Sequence, residues 1–201
     1  MNSVPCIVIG GTHSGVGKTS VATALMRVYV RRGLRVQGFK VGPDFIDPSF
    51  HRAATDRSSH NLDGWMLSQD KNLQLYARAA HDADLCIVEG VMGLFDGRSA
   101  VSDEGSTAEM AKWLGAPVIL VVDGSAMARS GAALVQGLNR SIRSCALPVL
   151  SSTVFRATGI SLIFAIACKH TARQLHSDIF TGSRLLLCPK DISDCILHAR
   201  C

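Results

Sequence analysis

Short apolar runs alternate with amphipathic stretches along the first two thirds of the chain. Residues 6–9 form an apolar run that ends in Gly10 and Gly11, the pattern of a buried strand feeding a loop. Residues 19–32 carry apolar positions at Val21, Ala24, Leu25 and Val28 and close at Gly33, which predicts an amphipathic helix with a glycine cap. A second strand is expected over 34–40, a helix over 67–80 and a third strand over 85–89. A short helix over 107–114 is stopped by Gly115, Ala116 and Pro117. The uninterrupted apolar run 118–122 reads as a central parallel strand covered on both faces, and 127–138 as the next helix. Strands and helices in this rhythm predict an α/β fold with a doubly wound, mainly parallel sheet, which binds ligands at the carboxyl ends of its strands.

Past residue 140 or so the rhythm blurs. Residues 148–155 could form a strand and 160–176 a helix, and the stretch to Cys201 offers little pattern. The expected division is therefore a P-loop domain over 1–140 and a divergent tail over 141–201.

Composition bounds the class. The 201 residues are 47% hydrophobic and 18% charged, a globular balance with length enough for a substantial core. The net charge of +5 suits an anionic ligand, but there is no Lys/Arg run or aromatic stripe of the kind nucleic acid calls for. The amino terminus has no basic leader, and the longest apolar stretch, 161–168, falls far short of the ~20 residues of a membrane span. The seven cysteines include no Cys-x-x-Cys pair, and Cys6 and Cys86 lie inside strand-like runs, so a reducing, cytoplasmic setting is expected, with no nucleic-acid or membrane partner.

The chemistry gathers after the strands. Residues 12–19 read Thr-His-Ser-Gly-Val-Gly-Lys-Thr between a strand and a helix, the context of a phosphate-binding P-loop. Thr12, His13, Ser14, Gly15, Val16, Gly17, Lys18, Thr19 and Ser20 are the expected nucleotide-binding residues. Lys18 reaches the β/γ-phosphates and the Thr19 hydroxyl ligates Mg²⁺, so ATP and Mg²⁺ are the expected cofactors. Thr12 stands where the usual motif has its first glycine. MinD/ParA-type ATPases carry a lysine where this chain has His13, so their dimer-coupled cycle is not expected, although a homodimer remains open. Residues 39–48 offer Lys40, Asp44 and Asp47 after the second strand, and 88–97 offer Glu89 and Asp96 after the third. Asp47 before Pro48 and Asp96 before Gly97 serve equally well as turn residues. Glu89 ends an apolar strand at the ligand edge, where a charge needs a partner; with Thr19 and Asp44 it is a candidate Mg²⁺ group. Residues 105–109 open a helix that is either a plain helix start or a donor of N–H groups to a substrate carboxylate. Trp65, Trp113, Met66, Met92 and Met110 are expected to line the core or the pocket.

Six blocks, at 11–19, 39–48, 61–66, 88–97, 105–112 and 122–130, together resemble the amino-terminal synthetase domain of the cobyrinic acid a,c-diamide synthases. This family and the dethiobiotin synthetases share the Thr12 variant of the loop. The resemblance implies a P-loop NTPase-like fold and a role in cobalamin biosynthesis: ATP-dependent amidation of the c and a carboxylates of cobyrinic or hydrogenobyrinic acid through acyl phosphates, with ammonia released from glutamine. It implies that Asp44, Asp47, Glu89 and Asp96 are the acidic residues of the site, with Lys18, Lys40, Asp47 and Asp96 acting on the transferring phosphoryl group and the substrate. The family's glutamine amidotransferase domain has no counterpart in these residues, and the tail does not resemble the family's continuation; incomplete last strands and an exposed sheet edge are expected. A dethiobiotin synthetase-like ligase and a MinD/ParA-like regulatory ATPase are the competing readings.

Overall fold

A computed structural model describes residues 4–124, 127, 129–144, 152–157 and 160–167. The chain runs β1 (Cys6–Gly11), α1 (Lys18–Arg31), β2 (Val36–Val41), α2 (Asp47–Thr55), β3 (His60–Leu62), α3 (Gln69–Ala80), β4 (Leu85–Glu89), α4 (Thr107–Leu114), β5 (Val118–Val121), α5 (Arg129–Ser144), β6 (Ser152–Ala157) and β7 (Ile160–Ala167). The sheet order is β3-β2-β4-β1-β5-β7-β6. The first five of these are parallel, whereas β7 pairs antiparallel with β5, and β6 antiparallel with β7. This is the doubly wound, mainly parallel α/β architecture expected.

Every residue of β1, β2 and β4 is buried, because helices cover both faces. Alternate side chains separate into two cores. Ile7, Ile9, Val36, Ile87 and Val121 join Ala22, Met26 and Tyr29 of α1 and Ala54 of α2 on one face. Val8, Phe39, Val41, Val88, Val118 and Leu120 meet Ala80, Met110, Ala111 and Val135 from the helices of the other. Besides Ala24, the buried residues of α1 recur at 18, 22, 26 and 29, so one stripe of the helix both packs the core and delivers Lys18 to its amino-terminal end.

Two elements lie where no element was expected. The loop after β2 turns at residue 47 into α2, begun by Pro48 in its first turn, and β3 then adds a short parallel edge strand. Residues 160–167, expected to be helical, instead form β7, because a run apolar but for Ser161 has no period that separates a buried helix from a strand. β7 also pairs with β5, through Val118↔Ala167 and Ile119↔Ile166, and β6 lies at this end of the sheet. The rest of the stretch expected to be helical, 168–176, and residues 148–151 lie outside the described residues.

Candidate nucleotide and carboxylate site

The loops after β1, β2, β3 and β4 open on one edge of the sheet. The P-loop leaves β1 at Gly11, where a Cβ would lie 2.6 Å from Val16 and 3.0 Å from Lys18, so the chain can double back only on a bare backbone. Gly17, at φ 101°, turns the chain into α1, and open space surrounds the Cβ position at both Gly15 and Gly17. Val16 is buried beneath the loop, His13, Ser14 and Ser20 are exposed, and Thr12 Oγ1 is buried with no hydrogen-bond partner among the described residues. His13 Nδ1 lies 2.7 Å from the Ser14 carbonyl oxygen. A cradle of turned backbone with an unused buried hydroxyl and a lysine at its end fits a nucleotide's phosphates.

Lys18 crosses the mouth of this loop, donating to the carbonyls of Met92 (2.6 Å) and His13 (3.0 Å). Burial and the nearby positive charge of Lys40 hold its ammonium below the ordinary lysine value, against the pull of Glu89, Asp47 and Asp96.

The centre of the site is a set of buried charges at the ends of β2 and β4. Lys40 Nζ lies 3.1 Å from Glu89 Oε1 and 2.6 Å from Asp47 Oδ2, and donates also to the Gly90 carbonyl at 3.1 Å. Burial disfavours the ammonium, but the charge of Glu89 and the hydrogen bonds to Asp47 and Glu89 outweigh it and raise Lys40 above its ordinary value. Glu89 is fully buried; burial opposes its charge, yet the hydrogen bond with His51, the charge of Lys40 and the Thr19 hydroxyl hold the carboxyl below the usual range. Thr19 Oγ1 donates to Glu89 Oε1 at 2.6 Å and approaches Asp47 Oδ1 at 3.3 Å.

Of the two aspartates in the β2–α2 loop, Asp47 is the one that reaches Thr19. Asp44 uses Oδ1 to accept the backbone N–H groups of Ile46 (2.7 Å) and Asp47 (3.1 Å), and its other oxygen lies 4.0 Å from Lys40. Asp44 thus fixes the turn that presents Asp47, while facing the same lysine. Asp96 is exposed in the loop after β4, where Oδ2 accepts the Gly93 N–H at 3.0 Å. That loop lies flush on the P-loop strand: the Leu94 N–H reaches the Gly11 carbonyl at 2.8 Å, and a Cβ at Gly93 would stand 2.9 Å from the Thr12 carbonyl oxygen. Met92 is held there at φ 47°, a conformation a methionine adopts only under constraint.

The helix start at 105–109 is internally capped, with Ser106 Oγ accepting the Glu109 N–H at 3.2 Å and Glu109 Oε2 accepting the Gly105 N–H at 2.7 Å. Thr107 binds both the N–H and the carbonyl of Val91, at 2.9 and 3.0 Å, which pins the β4 loop. Met110 is core and Trp113 packs against it, whereas Trp65, Met66 and Met92 are exposed, with the Arg98 guanidinium 4.9 Å above the Trp65 ring. Among the described residues no three His, Cys, Asp or Glu side chains converge as a metal cluster, so a cation here would draw on Thr19, one or two carboxylates and the nucleotide. No helix among the described residues is long and apolar enough to cross a membrane.

The sequence reading missed His51. It is fully buried on α2, with Nε2 2.7 Å from Glu89 Oε2.

A strand, a glycine-turned P-loop and a helix that carries the lysine and threonine meet at the edge where β2 and β4 deliver their charges. Residues 7–179 match the family described as CobQ/CobB/MinD/ParA nucleotide binding domain. The chain belongs to that family. It is similar to cobyrinate a,c-diamide synthases: 50% identical to that of Leptospira interrogans over 135 residues, 67% of this chain and 30% of that protein. The corresponding enzyme of Syntrophotalea carbinolica is 56% identical over 135 residues, 67% of this chain and 29% of that protein. The hydrogenobyrinate a,c-diamide synthase of Streptomyces coelicolor is 48% identical over 136 residues, 68% of this chain and 28% of that protein. The chain thus spans about 30% of the length of the curated relatives it matches.

Proposed function

We propose that this chain forms the ATP- and Mg²⁺-binding, carboxylate-activating part of a corrinoid amidoligase, acting on the c and a carboxylates of cobyrinic or hydrogenobyrinic acid. The observation that carries the reading is the buried Lys40–Glu89 pair with half-buried Asp47, which touches the P-loop Thr19 at the same sheet edge. Side-chain hydroxyl and carboxylate oxygens beside a phosphate cradle suit a magnesium ion, to which Thr19, Asp47 and Glu89, with Asp44 close by, would offer ligands or water contacts. The bound ion would supply charge neutralisation on the transferring phosphoryl group.

A carboxylate is a poor acylating agent because its leaving group would be an oxide. Transfer of the γ-phosphoryl group to a substrate carboxylate oxygen makes phosphate the leaving group, and ammonia then forms the amide. The protein needs no nucleophile for this; it needs positive charge at the phosphoryl and fixed geometry. In this reading Lys18 would lead from the cradle to the phosphates, and Lys40 would fix Glu89 and Asp47 beside them and add positive charge at that edge. Asp96 and Asp47 orient the approach through the loops they hold. In this reading ammonia comes free in solution or from a glutamine-hydrolysing partner, and a cytoplasmic setting supplies both.

The reading is tested by assaying the purified chain with ATP, Mg²⁺ and cobyrinic acid, with ammonia and with glutamine in parallel. Amide formation and ATP consumption that require the corrinoid, with ammonia as donor, are expected. ATP turnover indifferent to the corrinoid would contradict it.

A further inference from the structure

We propose that His51 is a positioning residue for the metal and phosphate end of the site: it holds Oε2 of Glu89 so that Oε1 is presented to Thr19 and Lys40. The inference deepens the Mg-nucleotide reading above and rests on it.

A carboxylate at the end of a strand can rotate about its last bond and exchange its oxygens. Glu89 does not have that freedom, because its two oxygens are claimed from opposite sides. Oε1 meets Thr19 Oγ1 at 2.6 Å and Lys40 Nζ at 3.1 Å, and Oε2 meets His51 Nε2 at 2.7 Å. The imidazole is itself fixed at both nitrogens, since Nδ1 lies 3.0 Å from Ser59 Oγ. Two hydrogen bonds on opposite sides of a ring set its plane as well as its place, the arrangement by which an outer residue orients a ligand.

The surroundings are shaped to this ring. A Cβ at Gly38, in the interior of β2, would lie 3.1 Å from His51 Cβ, 3.4 Å from its Cγ and 3.1 Å from Met26 Cε, so the strand lacks a side chain where the imidazole packs. The segment carrying Ser59 is tied to the sheet through Gln37, which donates to the Ser58 carbonyl at 2.8 Å and accepts from Arg57 Nε at 3.0 Å. On α2, Asp47, His51 and Thr55 follow at intervals of four, so one inward face carries all three, and Thr55 donates back to the His51 carbonyl at 2.9 Å. That face meets the centre twice, through Asp47 at Lys40 and Thr19 and through His51 at Glu89. With His51 gone, Oε2 would be a buried, partnerless oxygen and Glu89 would be free to turn Oε1 away from Thr19.

The test uses the whole chain with Mn²⁺ in place of Mg²⁺ and a non-hydrolysable ATP analogue. Mn²⁺ binding is followed by electron paramagnetic resonance, and metal-free analogue binding is measured alongside. In His51→Leu the Mn²⁺ concentration for half-saturation should rise about 10-fold or more and the spectrum of the bound ion should change, with metal-free binding retained. His51→Gln, whose amide can still donate toward Oε2, should recover part of the loss, and Ser59→Ala should fall between. Unaltered Mn²⁺ affinity and spectrum in the variants, even with lowered melting temperatures, would overturn the proposal and leave His51 a packing residue. If His51→Leu does not fold, wild-type Mn²⁺ behaviour in both His51→Gln and Ser59→Ala overturns it equally. Wild-type chain that binds Mn²⁺ no better with the analogue than without it would sink the Mg-nucleotide reading itself, and the inference with it.

Discussion

At the level of single residues, two lysines share one small volume under opposite constraints. Burial and the charge of Lys40 hold Lys18 below the ordinary lysine value, whereas the bonds of Lys40 to Glu89 and Asp47 hold it above, which suits the first to receive a phosphate and the second to hold the frame. Lys18→Ala should therefore abolish the thermal stabilisation given by Mg-ATP while leaving the melting temperature of the free chain close to that of the parent, as differential scanning fluorimetry would show. Glu89→Ala should behave differently, because it removes one of the two close carboxylates of buried Lys40 and leaves buried His51 Nε2 without its acceptor. A buried polar group left unsatisfied costs about 1–3 kcal/mol, so the urea midpoint of the free chain should fall below the parent's. The P-loop and the charge at the end of β4 were legible in the sequence because both follow apolar strands. The part played by His51 was not, since the contact that gives a histidine its role lies 38 residues away at Glu89. A usable signal existed: polar residues at 47, 51 and 55 recur at helical spacing, as an inward polar stripe must.

At the level of elements, most of the βα alternation could be read from periodicity, and the exceptions have physical causes. β3 has three residues, of which only Leu62 is fully buried, too few to show an alternation. α2 opens Asp-Pro, which reads as a turn until the Asp44 side chain is seen fastening that turn. β7 is apolar but for Ser161, and in such a run only its pairing with β5 and β6 decides between strand and helix. The connection after α2 is held to the α3–β4 turn by Arg57, whose guanidinium meets the Asp82 carboxylate at 2.5 and 3.0 Å. That hydrogen bond, with the charge of Arg57, depresses the Asp82 carboxyl to about 2. A carboxyl depressed in the folded state adds stability above its ordinary value of about 4 and loses it as pH falls toward about 2. Carboxyl-detected NMR should find Asp82 titrating near that low value, and Arg57→Gln should return it toward the ordinary one and flatten this part of the acid stability profile. An unchanged Asp82 titration in the variant would show that the clamp does not form in solution.

At the level of the whole molecule, two cores on either side of one sheet support a rigid edge from which four loops project. The P-loop, the Lys40 loop and the Glu89 loop are next to one another because β2, β4 and β1 are neighbours in the sheet while α1 and α2 lie against each other on one face. Binding energy at that edge is then felt by the whole domain. Mg-ATP at about 100 times its dissociation constant should raise the unfolding free energy by about 2.7 kcal/mol, and EDTA should remove most of that gain. The central claim is that this edge phosphorylates a substrate carboxylate. It is tested most directly by supplying cobyrinic acid labelled with ¹⁸O in its carboxylates, together with ATP and ammonia, and measuring the label in the inorganic phosphate. One ¹⁸O transferred to phosphate for each amide formed is the predicted result; amide formation with unlabelled phosphate, or phosphate release without any amide, would contradict the account.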